Sequence, residues 1–203
     1  MDRLLDGYRR FRENDWPERR ALFELLSEAG QRPRTLVIAC SDSRVDPQMI
    51  FDAGPGELFV VRNVANLVPP YQPDAAYHGT SAALEFAVKA LEVEDVVVMG
   101  HAQCGGLQAL LNGVPDSVPD FVGTWIHIAD RARERALKCE SVEERQDVCE
   151  HEAIKVSIDN LMTFPWVRER VEAGRLRLQG CRFGIASGVL ERLQPDGTFA
   201  AVA

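Results

Sequence analysis

The sequence lacks the features that would place it across a membrane, in an oxidising compartment or on a nucleic acid. Its longest apolar runs are short. Val96-Val97-Val98-Met99 is typical, and a membrane-spanning helix needs about 20 such residues. The N-terminal stretch MDRLLDGYRRFRENDW is charged throughout and has no apolar centre, so it does not read as a secretory signal. No run of Lys and Arg is present, and the formal net charge is −8. That balance argues against a surface built to neutralise phosphates or anionic lipids. The five cysteines are an odd number, which argues against a disulfide framework. There is no internal repeat, no low-complexity tract, and no Gly-x-Gly-x-x-Gly after a strand to hold a dinucleotide. What remains is a chain of 203 residues, 46% hydrophobic and 27% charged, enough for one domain with a good-sized core. The expected location is the cytoplasm.

Hydrophobic spacing divides the chain into an N-terminal helical arm (1–29), a core (30–183) and a C-terminal segment (184–203) of a single domain. The arm reads as two short helices. Leu4, Leu5, Tyr8 and Phe11 share one stripe, and Pro17 suits a first helical position ahead of Leu22, Phe23, Leu25 and Leu26, with Gly30 as a stop. An amphipathic arm of this kind packs against the chain's own core or against a partner subunit. Thr35–Ala39, Leu58–Val61 and Val96–Met99 are short, continuously apolar runs, the pattern of buried parallel strands. Asp46-Pro47 reads as a helix cap followed by Pro at the first position. A helical pattern runs from His78 to Ala90, and another helix can start after Gly105. Strand and helix alternate, so the predicted fold is α/β, a mostly parallel sheet covered by helices. Residues 119–173 read as mostly helical with a break at Pro165. Arg175–Gln179 is expected to form a last strand, Gly184–Leu193 a final short helix, and Gln194–Ala203 a weakly held tail.

Two motifs carry chemistry. Cys40 follows the first strand in Cys40-Ser41-Asp42-Ser43-Arg44. His101 and Cys104 follow the third in Gly100-His101-Ala102-Gln103-Cys104-Gly105-Gly106. In an open parallel sheet functional groups gather at the carboxyl ends of strands. Neighbouring strands would therefore bring together two thiolates and one imidazole. Such a Cys₂His set is soft enough to favour zinc and leaves a fourth position open, as a catalytic site requires. Structural sites bring four ligands in paired short spacings, whereas here only His101-x-x-Cys104 is short. Arg44 can grip the Asp42 carboxylate through two hydrogen bonds, keeping it ionised and fixed in direction. The bland alternative is an exposed ion pair of little energetic value. The nearness of Cys40 favours the functional reading. Gly105-Gly106 permits a tight turn into a helix, and its exposed N–H groups suit an anionic oxygen. His78, His127 and His151 lack any ligand pattern. Cys149-Glu150-His151 reads as structural, and Cys139 and Cys181 as ordinary thiols.

These motifs resemble the paired signature of β-class carbonic anhydrases. Gly56–Tyr71, with Arg62-Asn63-Val64-Ala65-Asn66-Leu67-Val68-Pro69-Pro70, is similar to the plant-like branch of that family, as are Cys149-Glu150-His151-Glu152-Ala153 and Asn160-Leu161-Met162-Thr163-Phe164-Pro165. The resemblance covers roughly residues 30–180. It implies zinc-dependent, reversible hydration of carbon dioxide to bicarbonate and a proton, in a homodimer or a multiple of one. By the same resemblance Cys40, His101 and Cys104 hold one Zn²⁺ per chain, and Asp42 with Arg44 forms an orienting catalytic pair. Gln31, Phe59, Val64 and Phe86 line the substrate pocket, with the Gln and Phe wall supplied by the partner subunit, and the Gly105 N–H steadies an oxygen of the product. Phe86 stands where a Tyr is usual, Cys181 where an aromatic is usual and Gly184 where an Asp is usual. A bicarbonate-regulated branch has a Trp three residues before its first zinc Cys. Val37 stands there in this chain, so a simple one-proton rise of activity toward alkaline pH is expected. The closest rival is hydrolysis of carbonyl sulfide or carbon disulfide on the same fold. A rival of another class is a non-catalytic zinc-stabilised or bicarbonate-sensing module, which the presence of both Asp42 and Arg44 disfavours.

Overall fold

The computed structural model describes residues 1–202. Strand β1 (Thr35–Cys40) lies between β2 (Leu58–Asn63) and β3 (Asp95–His101), and β4 (Arg177–Phe183) flanks β3. All three of these pairings are parallel. The sheet then continues antiparallel through β5 (Leu190–Leu193) to β6 (Phe199–Ala201), giving the order β2-β1-β3-β4-β5-β6. The α/β reading with a mostly parallel sheet therefore holds. The apolar runs became strands because both sheet faces are covered. Leu36, Ile38, Val96 and Val98 enter one cluster, while Val37, Ala39 and Met99 enter another, the alternation a pleated strand imposes.

The helices are α1 (Asp2–Arg10), α2 (Trp16–Ala29), α3 (Pro47–Ile50), α4 (Gly79–Glu85), α5 (Gly105–Asn112), α6 (Val122–Ile126), α7 (Asp130–Ala136), α8 (Val142–Leu161) and α9 (Pro165–Glu172). Asp46 caps α3, its carboxylate accepting from the N–H groups of Gln48 and Met49. Pro165 ends the α8 pattern and also opens α9, where its missing N–H is harmless. No helix among the described residues is long and apolar enough to cross a membrane.

Three expectations need correction. The arm is one continuous helical rod. A wider turn at Phe11–Asp15 joins α1 to α2 without leaving helical geometry, because nothing between them breaks the hydrogen-bond ladder. Gly184–Leu193 is not a helix. The Gly184 N–H donates to the Val189 carbonyl, Gly188 takes φ +70°, and the chain reverses into β5. Nor is Gln194–Ala203 wholly a loose tail. Asp196-Gly197 forms a turn closed by Gln194 N–H on the Thr198 carbonyl, and Phe199–Ala201 pairs with β5. The segment 184–201 thus completes the same sheet as the core, and Ala203, the end of the expected tail, lies outside the described residues.

Helix α8 lies close against β3 and β4 because two glycines clear its path. A Cβ on Gly100 would sit 2.8 Å from Ile154 Cδ1, and one on Gly180 would sit 2.7 Å from Ile154 Cγ2. Ile154 is fully buried between them. Gly100→Ala should therefore overpack the contact with Ile154 Cδ1 and cost about 1–3 kcal/mol. Thermal melts at fixed protein concentration should show a lowered Tm, partly restored by Ile154→Val. An unchanged Tm would show that α8 can shift at no cost.

Candidate metal centre

Parallel pairing in register sets β1 beside β3, with Ala39 opposite Met99. Cys40 and His101 are the terminal residues of those strands, rather than the residues just beyond them. They emerge side by side at the carboxyl edge. Cys104 reaches the same point through a turn in which Gln103 takes φ +57°, a left-handed conformation uncommon outside glycine, and then caps the start of α5. The donor atoms of Cys40, His101 and Cys104 all lie within 4.8 Å of one another. All three residues are buried, at 6%, 1% and 0% exposure.

The donor chemistry fits a metal. His101 Nδ1–H donates to its neighbour's Ala102 carbonyl at 2.9 Å, which leaves the Nε2 lone pair pointing away from the backbone. That Nε2 is buried and has no hydrogen-bond partner. A buried imidazole lone pair set against two sulfurs, which are only weak donors, suits a soft cation. Backbone N–H groups of Asp42 and Ala65 approach the Cys40 sulfur, and those of Leu107 and Gly106 approach the Cys104 sulfur. Each stabilises negative charge on sulfur. The two sulfurs lie close enough to hydrogen-bond to each other. The hydrogen bond from Cys104 lowers the Cys40 thiol to about 4, and the same contact, reinforced by burial, pushes Cys104 up. Burial lowers the His101 imidazole, but its contacts with Cys40, the Ala102 carbonyl and Asp42 raise it on balance.

The loops around these ligands are held by named contacts. Arg44 Nε and Nη2 donate to the two oxygens of Asp42 at 2.9 and 2.7 Å, and the Arg44 backbone N–H adds a third bond at 2.9 Å. These hydrogen bonds hold the Asp42 carboxyl well below the usual carboxylate range. Its Oδ2 is 4.0 Å from His101 Nε2, at the open side of the group. Arg44 also donates to the Gln103 carbonyl at 3.2 Å, tying the two ligand loops together. Ala65, with φ +64°, and Asn66, with φ +49°, form a left-handed turn after β2, and the Ala65 N–H points at the Cys40 sulfur. Gly106 is needed there, since a Cβ would lie 2.8 Å from Val64 Cγ1 and 3.0 Å from Ala65 Cβ. Gly105 faces open space.

Every comparison with known proteins falls in one group. Residues 35–190 match the family model described as carbonic anhydrase. A carbonic anhydrase of Synechococcus elongatus is 42% identical over 193 residues, which is 93% of this chain and 70% of that protein. Beta carbonic anhydrase 3 of Arabidopsis thaliana is 36% identical, over 97% of this chain and 78% of its own. The chain belongs to the β-carbonic anhydrase family. The structure of the β-carbonic anhydrase CcaA overlays with a TM-score of 0.93 at 37% identity, covering all of this chain and 92% of its own. Family membership makes the chain an enzyme of the carbonic anhydrase type, and none of these relatives supports the alternative of a carbonyl sulfide or carbon disulfide hydrolase.

Not every residue expected at a β-carbonic anhydrase site gathers at this chain's own ligands. Val64 does, beside Gly106 and half-exposed, with its carbonyl accepting from Trp125 Nε1–H at 2.7 Å. Phe59 lies opposite Leu36 in register, four residues before Asn63, and so about 13 Å back along the sheet from the metal edge. Phe86 stacks on it, with ring centroids 5.9 Å apart, and is 50% exposed. Gln31 is exposed on the link into β1, also at the far end.

Some supporting residues escaped the sequence reading. Arg62 donates to the carbonyls of Cys40 and Asp42 at 2.9 and 2.6 Å and spans the Cys40–Asp46 loop. Its place in the Arg62-Asn63-Val64 motif was the available signal. Glu150 and Arg182 reach the centre from α8 and β4, and no local pattern pairs them. The other groups behave as the sequence suggests. His78, His127 and His151 face Asp74, Asp130 and Glu191. Burial pushes the Cys149 and Cys181 thiols up to about 12, as suits inert core thiols. Cys104→Ser should leave the fold intact but reduce bound metal to a small fraction of one ion per chain, because a hydroxyl is a poor replacement for a thiolate. Metal analysis of the purified variant checks this, and full occupancy would reject the ligand assignment.

Proposed function

We propose that the chain catalyses reversible hydration of carbon dioxide to bicarbonate and a proton, with one Zn²⁺ held by Cys40, His101 and Cys104. The observation that carries this reading is the buried Cys₂His group, whose orphaned His101 Nε2 faces two sulfurs beside a carboxylate gripped by arginine. Zinc, when bound, supplies Lewis-acid activation of water near neutral pH.

The chain's own residues supply orientation. Asp42 stays ionised through the neutral range, since Arg44 holds its carboxyl down. It therefore accepts a hydrogen bond from the nucleophile and does not itself titrate during activity. Arg44 sets its direction and keeps it off the metal. Val64 offers an apolar wall to carbon dioxide, and the N–H of the exposed Gly105 receives a bicarbonate oxygen. Phe59, Phe86 and Gln31 lie too far from this chain's ligands to serve them, so we assign them to the site of a second copy in a homodimer. The arm supports this pairing. No residue of α1 or α2 is buried, and Leu4, Leu5, Tyr8, Leu22 and Leu25 remain exposed. Such an apolar stripe is stabilised by a partner surface.

Three experiments test the reading. Stopped-flow assays should show carbon dioxide hydration rising with pH through one ionisation. The two thiolates cancel the charge of Zn²⁺, so the midpoint should lie in roughly the 7–9 range, between a dipositive zinc site and aqueous zinc. Arg44→Ala should retain zinc yet lose roughly 100-fold in kcat, the scale of a misoriented catalytic group. Near-normal turnover in that variant would reduce the pair to a loop ion pair. Sedimentation of the active protein should show a dimer or a multiple of one, and a fully active monomer would contradict the shared pocket.

A further inference from the structure

At 1% exposure Glu150 is the most deeply buried carboxylate among the described residues, and the reaction as proposed gives it no task. A buried charge needs partners, and Glu150 has a complete set. Its Oε1 accepts the Cys104 backbone N–H at 3.2 Å and the Gln146 side-chain N–H at 2.6 Å. Its Oε2 faces Arg182, which approaches through Nε at 2.9 Å and Nη2 at 2.7 Å. Arg182 is itself anchored by Asp147 and by Glu191 at 3.0 Å. Gln146 reaches back to the Cys104 carbonyl at 3.5 Å. Helix α8 therefore grips both polar backbone groups of one metal-ligand candidate.

Stability is a poor explanation for this arrangement, because a buried ion pair can often be replaced by apolar side chains at little cost. The local backbone gives a better one. Cys104 follows Gln103, whose left-handed φ of +57° persists only if its surroundings enforce it. Arg44 holds the Gln103 carbonyl from the Asp42 side. Glu150 holds the next N–H along the chain from the opposite side. Between them both polar groups of the single Gln103–Cys104 peptide, from which the Cys104 side chain projects, are held. We propose that Glu150, locked by Arg182 and Gln146, is a positioning residue that directs the Cys104 thiolate at the metal. The proposal rests on the zinc reading of the site. Outer partners of this kind tune metal retention by orienting a ligand.

The test uses the zinc-loaded full chain and two variants, E150Q and the apolar pair E150L/R182L. Asp147 and Glu191 are left more exposed and can be solvated, so the apolar pair should still fold, as checked by thermal melting. The readouts are the rate of zinc transfer to a chromophoric chelator, the thiolate-to-metal absorption bands of the Co²⁺-substituted protein, and kcat and KM. E150L/R182L should release zinc about 10–100-fold faster, with altered cobalt bands and a lowered kcat at unchanged KM. The amide of E150Q has one acceptor oxygen and cannot serve both Cys104 and Arg182, so this variant should fall between. A role confined to structure would move the melt but neither the bands nor the release rate. Wild-type release and wild-type cobalt bands in either folded variant would overturn the proposal. A wild-type chain that binds no zinc would overturn the underlying function instead.

Discussion

Two thiols and an imidazole are buried together at the ends of two neighbouring parallel strands, and the rest of the structure is arranged to hold that group. The ladder between β1 and β3 brings Cys40 and His101 together, because in-register parallel strands end side by side. The third donor is less secure. Cys104 hangs on a turn of unfavourable backbone conformation, braced by Arg44 on one side and Glu150 on the other. Backbone N–H groups then point at both sulfurs and favour their charged forms. Together with the unpartnered Nε2 of His101, this gives a pocket whose electrostatics suit a soft divalent cation.

Several charged contacts near the site make little sense as stabilising interactions. The Asp42–Arg44 pair is partly exposed, and pairs of that kind contribute about 0–1 kcal/mol. Its worth is directional. Two parallel hydrogen bonds leave the carboxylate one orientation, at 4.0 Å from His101 Nε2. Arg62 does comparable work on the loop between Cys40 and Asp46 by binding carbonyls. Arginine suits these tasks because its planar fork reaches several acceptors at once.

The two ends of the sheet divide the work. The carboxyl edge carries the ligands, the orienting pair and Val64. The opposite end carries the Phe59–Phe86 stack and the link at Gln31. Within one chain these sets are apart, and no residue of the arm is buried, although Leu26 meets Gly56 at its end. The homodimer proposed above would unite them.

Much of this was legible in local patterns. Short apolar runs announced the buried strands, Asp46-Pro47 announced a helix start, and the Cys40 and His101-x-x-Cys104 motifs announced the metal group. The C-terminal hairpin was misread, because short partly exposed strands such as Leu190–Leu193 carry no strong periodicity and owe their form to pairing with β4. By itself the sequence determined the donor types, the strand cores and the Asp42–Arg44 pairing, all of which depend on residue identity and close spacing. Only the tertiary structure decided that Glu150 meets Arg182 and the Cys104 N–H, and that Phe59 and Phe86 lie away from their own chain's ligands. Those relations join residues 32 to 46 positions apart, or depend on strand register, and no local rule of spacing specifies them.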